Sequence, residues 1–362
     1  MKKGKIARLA SILVVIALVV TMAGCGGSDN GGGGGDAGSD LKPITLNMSC
    51  QDSAESRIGQ RLQQWSDEVK EKTDGGLTIK IHFSASLVSP PDTYDAVKSG
   101  VADIGWCMTN YAPDQFPITE VVTLPMVGNI DPVQHCSVFW DNYDNVPEIQ
   151  KEFEPVQLIM AYGNPPNFLS TTKKPIDSLA AASGLSIRTP AGTINDALKS
   201  WGMNPINMPI SETYDALQKA NIDGCNNDWH GTEVFKMYEL LNYYSDNMKT
   251  FGGVFCTIAN KDSWNKLPKE WQDIVMSTGG REGSLAFAEA YREFGEASKQ
   301  AILAQGGELV VIPDAEIEKF KAETGAIHDA WVQKVSKDGF DGQALLDSTK
   351  AAYEKYKEEL GL

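Results

Sequence analysis

The chain has 362 residues, with 48 acidic against 32 basic side chains and a formal net charge of −16. That balance excludes the clustered Lys and Arg on which phosphate binding draws, so nucleic acid is not an expected partner. It leaves room for an anionic ligand, because one buried arginine overrules the mean field locally. The length suits two domains or one large one.

Lys2, Lys3, Lys5 and Arg8 form a basic start, Leu9 to Met22 is almost wholly apolar, and small residues end at Ala23-Gly24-Cys25. This order of regions predicts a secretory signal over residues 1–24. The apolar run, about 14 residues, is short of the ~20 that a bilayer span requires. Met22-Ala23-Gly24-Cys25 also resembles a bacterial lipobox, which implies a lipid on Cys25. Residues 25–40 are nearly all Gly, Ser, Asp, Asn and Ala, a composition that buries nothing and acts as a tether. The expected location is therefore outside the cytoplasmic membrane, in the periplasm or at the cell surface, anchored by lipid rather than by a spanning helix.

From Pro43 onward strands and helices alternate. Pro43 to Ser49 reads as a strand; Arg57 to Lys72 puts Ile58, Leu62, Trp65 and Val69 on one helical face. Leu77, Ile79, Ile81 and Phe83 alternate with polar residues as a half-buried strand does. A short helix over 92–99 and a buried strand over 101–106 follow. Gly184 to Pro190 predicts a strand, and Pro268 to Gln305 a long helical stretch interrupted at the Gly279 to Gly283 cluster. A strand over 308–312 and amphipathic helices over about 315–336 and 342–358 close the chain. Strands alternating with helices define an α/β fold with a mainly parallel sheet.

Thr93-Tyr94-Asp95-Ala96 recurs as Thr213-Tyr214-Asp215-Ala216, and an Asp follows seven residues after each Ala, at Asp103 and Asp223. Each copy is a helix-to-strand step, so two lobes carrying the same unit are expected. In open α/β sheets ligands lie outside the carboxyl ends of the strands. Trp106 to Asn110 from one lobe and Cys225 to Trp229 from the other should then flank one ligand, placing Asn110 and Trp229 among the candidates.

Motifs for catalysis are scarce: no G-x-S-x-G, no phosphate-binding G-x-x-x-x-G-K-S/T and no H-E-x-x-H occurs. His230 beside Asp228 is either an acid–base pair or a polar loop arrangement. Beyond Cys25 the cysteines are Cys50, Cys107, Cys136, Cys225 and Cys256, an odd number without zinc-like spacing to the four histidines. They are either buried thiols or, in part, a disulfide. Binding without chemistry is the expected role. Arg188 stands at the end of an apolar strand, where its planar fork would match a carboxylate; the alternative is a structural salt bridge.

The segments Glu71 to Gly76, Val97 to Gly105, Lys174-Pro175-Ile176, Gly184 to Arg188, Ser211 to Gln218 and Asn260 to Pro268 occur in an order that resembles one family. It is the solute-binding receptors of tripartite ATP-independent periplasmic (TRAP) transporters, and the resemblance covers residues 44–340. It implies a two-lobed periplasmic-binding-protein-like fold with a hinge, strands crossing between lobes and long C-terminal helices. Lobe I would comprise 41–165 plus about 254–293, and lobe II 166–253 plus about 294–362 with the C-terminal helices. It further implies that Arg188 pairs with a ligand carboxylate, that Asn227 assists, and that Trp106, Met108 and Ile210 form pocket wall. Asn167 falls where many members have a second arginine, which favours a monocarboxylate over a dicarboxylate. Asn226-Asn227 replaces the Glu-Trp of a metal-using subgroup, so no metal or other cofactor is expected. Trp106, Tyr111 and Trp229 would either stack on an aromatic ligand body or serve as ordinary core and rim residues. The implied partners are a small organic acid and the integral membrane subunits of an ion-driven transporter. The rival reading is a surface lipoprotein enzyme or sensor acting on a small carboxylate.

Overall fold

The computed structural model describes residues 42–362. The signal segment, the tether and Cys25 lie outside the described residues. The first lobe opens with β1 (Ile44–Ser49), α1 (Arg57–Lys72), β2 (Leu77–His82), α2 (Thr93–Lys98) and β3 (Ile104–Met108). The sequence dictates α1 directly. Ile58, Leu62, Trp65 and Val69 are fully buried, and Ser56 caps the helix by accepting from Gly59 N over 2.9 Å. Truncating Leu62 to Ala here would cost about 2–5 kcal/mol. Then follow α3 (Pro132–Asn145), α4 (Pro147–Phe153) and β4 (Val156–Gly163), after which the chain crosses to the second lobe.

Lobe II contains β5 (Phe168–Thr171), α5 (Leu179–Ala182), β6 (Ser186–Thr189), α6 (Ile194–Ser200), β7 (Asn204–Asn207), α7 (Thr213–Gln218), β8 (Gly224–Asn227), α8 (Trp229–Val234) and β9 (Tyr243–Ser245). The chain returns to lobe I as β10 (Val254–Asn260), α9 (Lys261–Asn265) and α10 (Lys269–Thr278). It ends with α11 (Gly280–Ala304), β11 (Glu308–Leu309), α12 (Asp314–Val335) and α13 (Gly342–Leu360). One sheet runs β2-β1-β3-β10-β4, the other β11-β9-β5-β8-β6-β7. In both, three mutually parallel strands adjoin a strand antiparallel to them, β10 beside β3 and β5 beside β8.

The internal echo is a structural repeat. Helices α2 and α7 hold the two T-Y-D-A copies, each behind a 3₁₀ turn and ahead of the strand, β3 or β8, by which its parallel trio adjoins the antiparallel strand. The paired aspartates do one job in both lobes. Asp103 Oδ2 accepts from Asn47 N of β1 over 2.8 Å, and Asp223 Oδ2 from Ser186 N of β6 over 2.9 Å. Their role is thus to close the sheet, not to touch a ligand. Neighbouring residues on β5 serve opposite faces: Phe168 packs with Trp229 and Tyr244, Leu169 with Trp201 and Phe320.

Two boundaries differ from expectation and one agrees with it. The strand over 308–312 pairs only at Glu308–Leu309, because its partner β9 is three residues long. The helical stretch breaks within the Gly279 to Gly283 cluster, as expected, at Gly280, whose φ of 58° is a left-handed conformation that glycine adopts without strain. The last helix does not belong with lobe II. Tyr353 of α13 donates to Val122 O over 2.8 Å, Gln134 Nε2 to Tyr353 O over 2.7 Å and Asn142 Nδ2 to Thr349 Oγ1 over 2.9 Å, all within lobe I. Helix α12 makes the passage: Trp201 Nε1 of lobe II donates to Phe320 O, and Trp331 Nε1 to Pro117 O of lobe I.

Candidate functional site

The two chain segments that cross between lobes lie side by side. Asn167 and Phe251 form an antiparallel bridge, with Asn167 N donating to Phe251 O and Thr250 N to Asn167 O, both over 2.8 Å. Asn164 adds a side-chain contact, its Oδ1 accepting from Gly253 N over 2.7 Å. These paired strands form a narrow connection about which two lobes can turn.

Directly beside this connection is a cavity lined by both lobes. Gln51, Asp52, Met108, Tyr111 and Phe255 come from lobe I; Arg188, Pro190, Ile210, Asn227, Asp228, His230, Gly231 and Phe235 from lobe II. Asn164 and Asn167 come from the crossing, and Tyr291 from α11. Met108 and Asn227 are the last residues of β3 and β8, and Asp52 and Pro190 follow β1 and β6. The cavity therefore sits at the carboxyl ends of the parallel strands of both sheets, as open α/β folds dictate. Its enclosed space is about 30 Å³, so an organic acid enters only if the lobes part.

Arg188 is 2% exposed. Ile187 beside it faces the apolar core of lobe II, so strand alternation turns the guanidinium to the cavity side. Nε and Nη2 donate to Met208 O over 3.1 and 3.0 Å, and Nη2 to Tyr111 Oη over 3.2 Å. No carboxylate among the described residues is its salt-bridge partner, so the structural ion pair is not its role. A buried cation held by neutral oxygens alone leaves its charge uncompensated, which makes an anion the favoured occupant. Asn227 Nδ2 is buried in the same wall without an acceptor among the described residues.

The other polar groups are more fully used. Asn164 Nδ2 donates to Asn167 Oδ1 over 2.9 Å and to Asp228 Oδ2 over 2.7 Å. Asp228 Oδ1 accepts from Gly231 N over 2.8 Å and so caps α8. Burial pushes the Asp228 carboxyl above its ordinary range, against the attraction of His230. His230 does not bond Asp228, its neighbour in sequence; its Nε2 lies 3.4 Å from Asp52 Oδ2 across the cleft.

Of the residues expected at the site, the structure brings together Met108, Asn167, Arg188, Ile210 and Asn227, with Tyr111. It places three others elsewhere. Trp106 stacks on Phe255 inside lobe I, ring centroids 4.5 Å apart; it shares the β3 face of Met108 but sits two residues back from the strand end, so Met108 and Phe255 form the wall in its place. Trp229 is wedged between Phe168 and Tyr244 at 4.6 and 4.8 Å, core rather than wall. Asn110 is buried beside Thr123, whose Oγ1 accepts from its Nδ2 over 3.4 Å, under the loop that follows β3. Asp52, Asn164, Phe255 and Tyr291 were missed. For Asn164 the cue was a polar residue between Gly163 and two prolines; Tyr291 has no local cue, being one of several aromatics on a long helix.

Among the described residues no group of three or more potential metal ligands converges, and no helix is long and apolar enough to cross a membrane. All five described cysteines are buried and unpaired. A larger groove, about 670 Å³, lies along α12 and α13, but Lys321 and Lys357 there pair with Glu318 and Glu354 on solvated surface.

Two lobes hinged on paired strands, with a guanidinium in the cleft that has no carboxylate partner among the described residues, define a solute-binding receptor. The family model described as bacterial extracellular solute-binding protein, family 7, matches residues 48–334, and the chain belongs to that family, the TRAP solute-binding receptors. Solved relatives agree in fold. A TRAP solute-binding protein from Rhodoferax ferrireducens, crystallised with copurified benzoate, superposes with a TM-score of 0.81 at 27% identity, covering 88% of this chain and 99% of that one. One from Bordetella bronchiseptica with bound (R)- and (S)-mandelate gives 0.79 at 26%, covering 87% and 100%. A monocarboxylate 2-oxoacid-binding periplasmic protein from Nostoc is 25% identical over 80% of this chain and 76% of that one.

Proposed function

We propose that this receptor captures a small monocarboxylate with an aromatic body, closes its lobes around it and delivers it to the membrane subunits of a TRAP transporter. The observation that carries the reading is Arg188, a buried guanidinium at the cleft with no acidic partner among the described residues. Asn227 Nδ2 offers a further donor to the same anion. The cavity lining contains one guanidinium, with Asn167 in place of a second, which matches one carboxylate rather than two. Met108, Phe255, Phe235 and Tyr291 supply apolar and aromatic wall for the remainder of the ligand. The benzoate and mandelate bound by the Rhodoferax and Bordetella relatives belong to this class.

Binding proceeds without turnover in this reading, and the ligand leaves the receptor chemically unchanged. Export by the signal segment and a lipid on Cys25 would keep the receptor at the outer face of the membrane, next to its transporter. The test is calorimetric titration of purified protein with aromatic and aliphatic monocarboxylates and with dicarboxylates. Arg188→Ala removes a charge-assisted pair in a desolvated site and should weaken binding at least about a hundredfold. Unchanged affinity in that variant would sink the carboxylate clamp. Mass spectrometry of the released ligand checks for turnover, and that of the exported protein checks for acyl chains on Cys25.

A further inference from the structure

Arg188 and Asn227 offer donors to an anion, and neither accounts for the acidic side of the same cavity. Asp52 is 3% exposed and lines the cavity just beyond β1. Its carboxylate is poorly satisfied. Both side-chain hydrogen bonds reach Oδ2 and both are long, 3.3 Å from Ser56 Oγ and 3.4 Å from His230 Nε2. The first is weaker than it looks: Ser56 has one hydroxyl proton, and Ser53 O is the nearer acceptor at 2.9 Å. Oδ1 has no protein donor among the described residues. Asp228, the other cavity carboxylate, differs, since each of its oxygens has a donor within 2.8 Å.

With Oδ1 left without a protein donor, this cavity-lining carboxylate is open to a hydrogen-bond donor that a ligand supplies. We infer that Asp52, with His230 facing it from lobe II, recognises a hydroxyl on the ligand body, so that the preferred class is hydroxylated aromatic acids. The inference rests on the carboxylate reading above and adds the second polar anchor. Arg188 takes the carboxylate, Phe255 and Tyr291 flank the ring, and the hydroxyl donates to Asp52 Oδ1. Because Asp52 and His230 belong to different lobes, a ligand anchored there also favours the closed form.

The full-length purified protein is titrated with benzoate and phenylacetate, with the ortho, meta and para hydroxy derivatives of each, and with mandelate. At least one hydroxy acid should bind about tenfold or more tightly than its parent, the size expected of a hydrogen bond to a charged group. Asp52→Ala should erase that preference, bringing the ratio of hydroxy-acid to parent-acid affinity to about one. If the variant does not fold, the comparison of matched acids on the unaltered protein decides alone. Parent acids that bind as well as all their hydroxy derivatives overturn the role of Asp52 and leave the Arg188 clamp standing. Equal weakening of both ligand types in Asp52→Ala overturns it likewise. If no carboxylate binds, the clamp and this inference fall together.

Discussion

Arg188 and Tyr111 meet across the cleft: Nη2 of the arginine, on lobe II, donates to the phenolic oxygen of the tyrosine, on lobe I, over 3.2 Å. One bond thus ties the proposed anion clamp to lobe closure, and it also orients the guanidinium. Tyr111→Phe deletes only that hydroxyl. Affinity for the acid ligand should fall about three- to tenfold, the net worth of one hydrogen bond, far less than for Arg188→Ala. Calorimetry on the two variants side by side checks the ranking.

A second tie joins the lobes on the far side of the cavity. Arg57, at the start of α1, pairs with Glu233 of α8, and both bond Ser298 of α11, with Ser298 Oγ 2.6 Å from Glu233 and 3.1 Å from Arg57 Nη1. The pair is about one-third exposed, so its contribution is modest and screened by salt. Glu233→Gln should raise the ligand off-rate about two- to fivefold with little change in on-rate. The effect should shrink as salt rises; stopped-flow fluorescence at two salt concentrations reads both.

His135 sets a pH limit on stability. It is fully buried, and Tyr353 Oη lies 2.9 Å from its Nδ1 while donating to Val122 O, so the Nδ1 carries the proton. Nε2 has no partner among the described residues, and a charge there would be stranded; burial holds the imidazole pKa down at about 3. An unfolded histidine protonates near 6.5, so between those values the unfolded state binds the extra proton. This contribution is complete above pH 6.5 and is lost progressively as pH falls toward 3. At most it amounts to ~5 kcal/mol. The fall in Tm between pH 6.5 and 4 should be shallower in His135→Gln than in the parent.

The thiols should be inert in the native protein. All five described cysteines are buried, and burial raises Cys107 to about 12 and Cys225 to about 11. Thiolate is the reactive form, so a chromogenic disulfide reagent at pH 8 should find these five only after denaturation. Rapid labelling of any of them in native buffer would contradict the burial.

Much of the fold was legible because it follows from local periodicity. The stripe on α1 fixes its buried face, and the T-Y-D-A echo marks two equivalent units that the structure realises as α2–β3 and α7–β8. The site was legible at strand ends, where Met108, Arg188 and Asn227 stand, since the carboxyl end of a strand is a position that sequence can name. Trp106 and Trp229 show the limit. Both lie in the right segments, but Trp106 sits two residues back from the end of β3 and Trp229 on the first turn of α8, and their packing on Phe255 and Phe168 is set by partners distant in sequence. The placement of α13 on lobe I was illegible for a similar reason, because an amphipathic helix does not say which apolar surface it covers.

By itself the sequence determined an acidic, α/β chain with two repeated units and an arginine at the end of an apolar strand, since composition and hydrophobic period act locally. Tertiary structure alone decided that Arg188 has no acidic partner among the described residues, that His230 answers to Asp52 rather than Asp228, and that α11 contributes Tyr291 to the cavity. Those facts depend on contacts between residues 77 to 178 positions apart, with Tyr291 brought in from a separate helix, and such contacts arise only when two lobes close on one another.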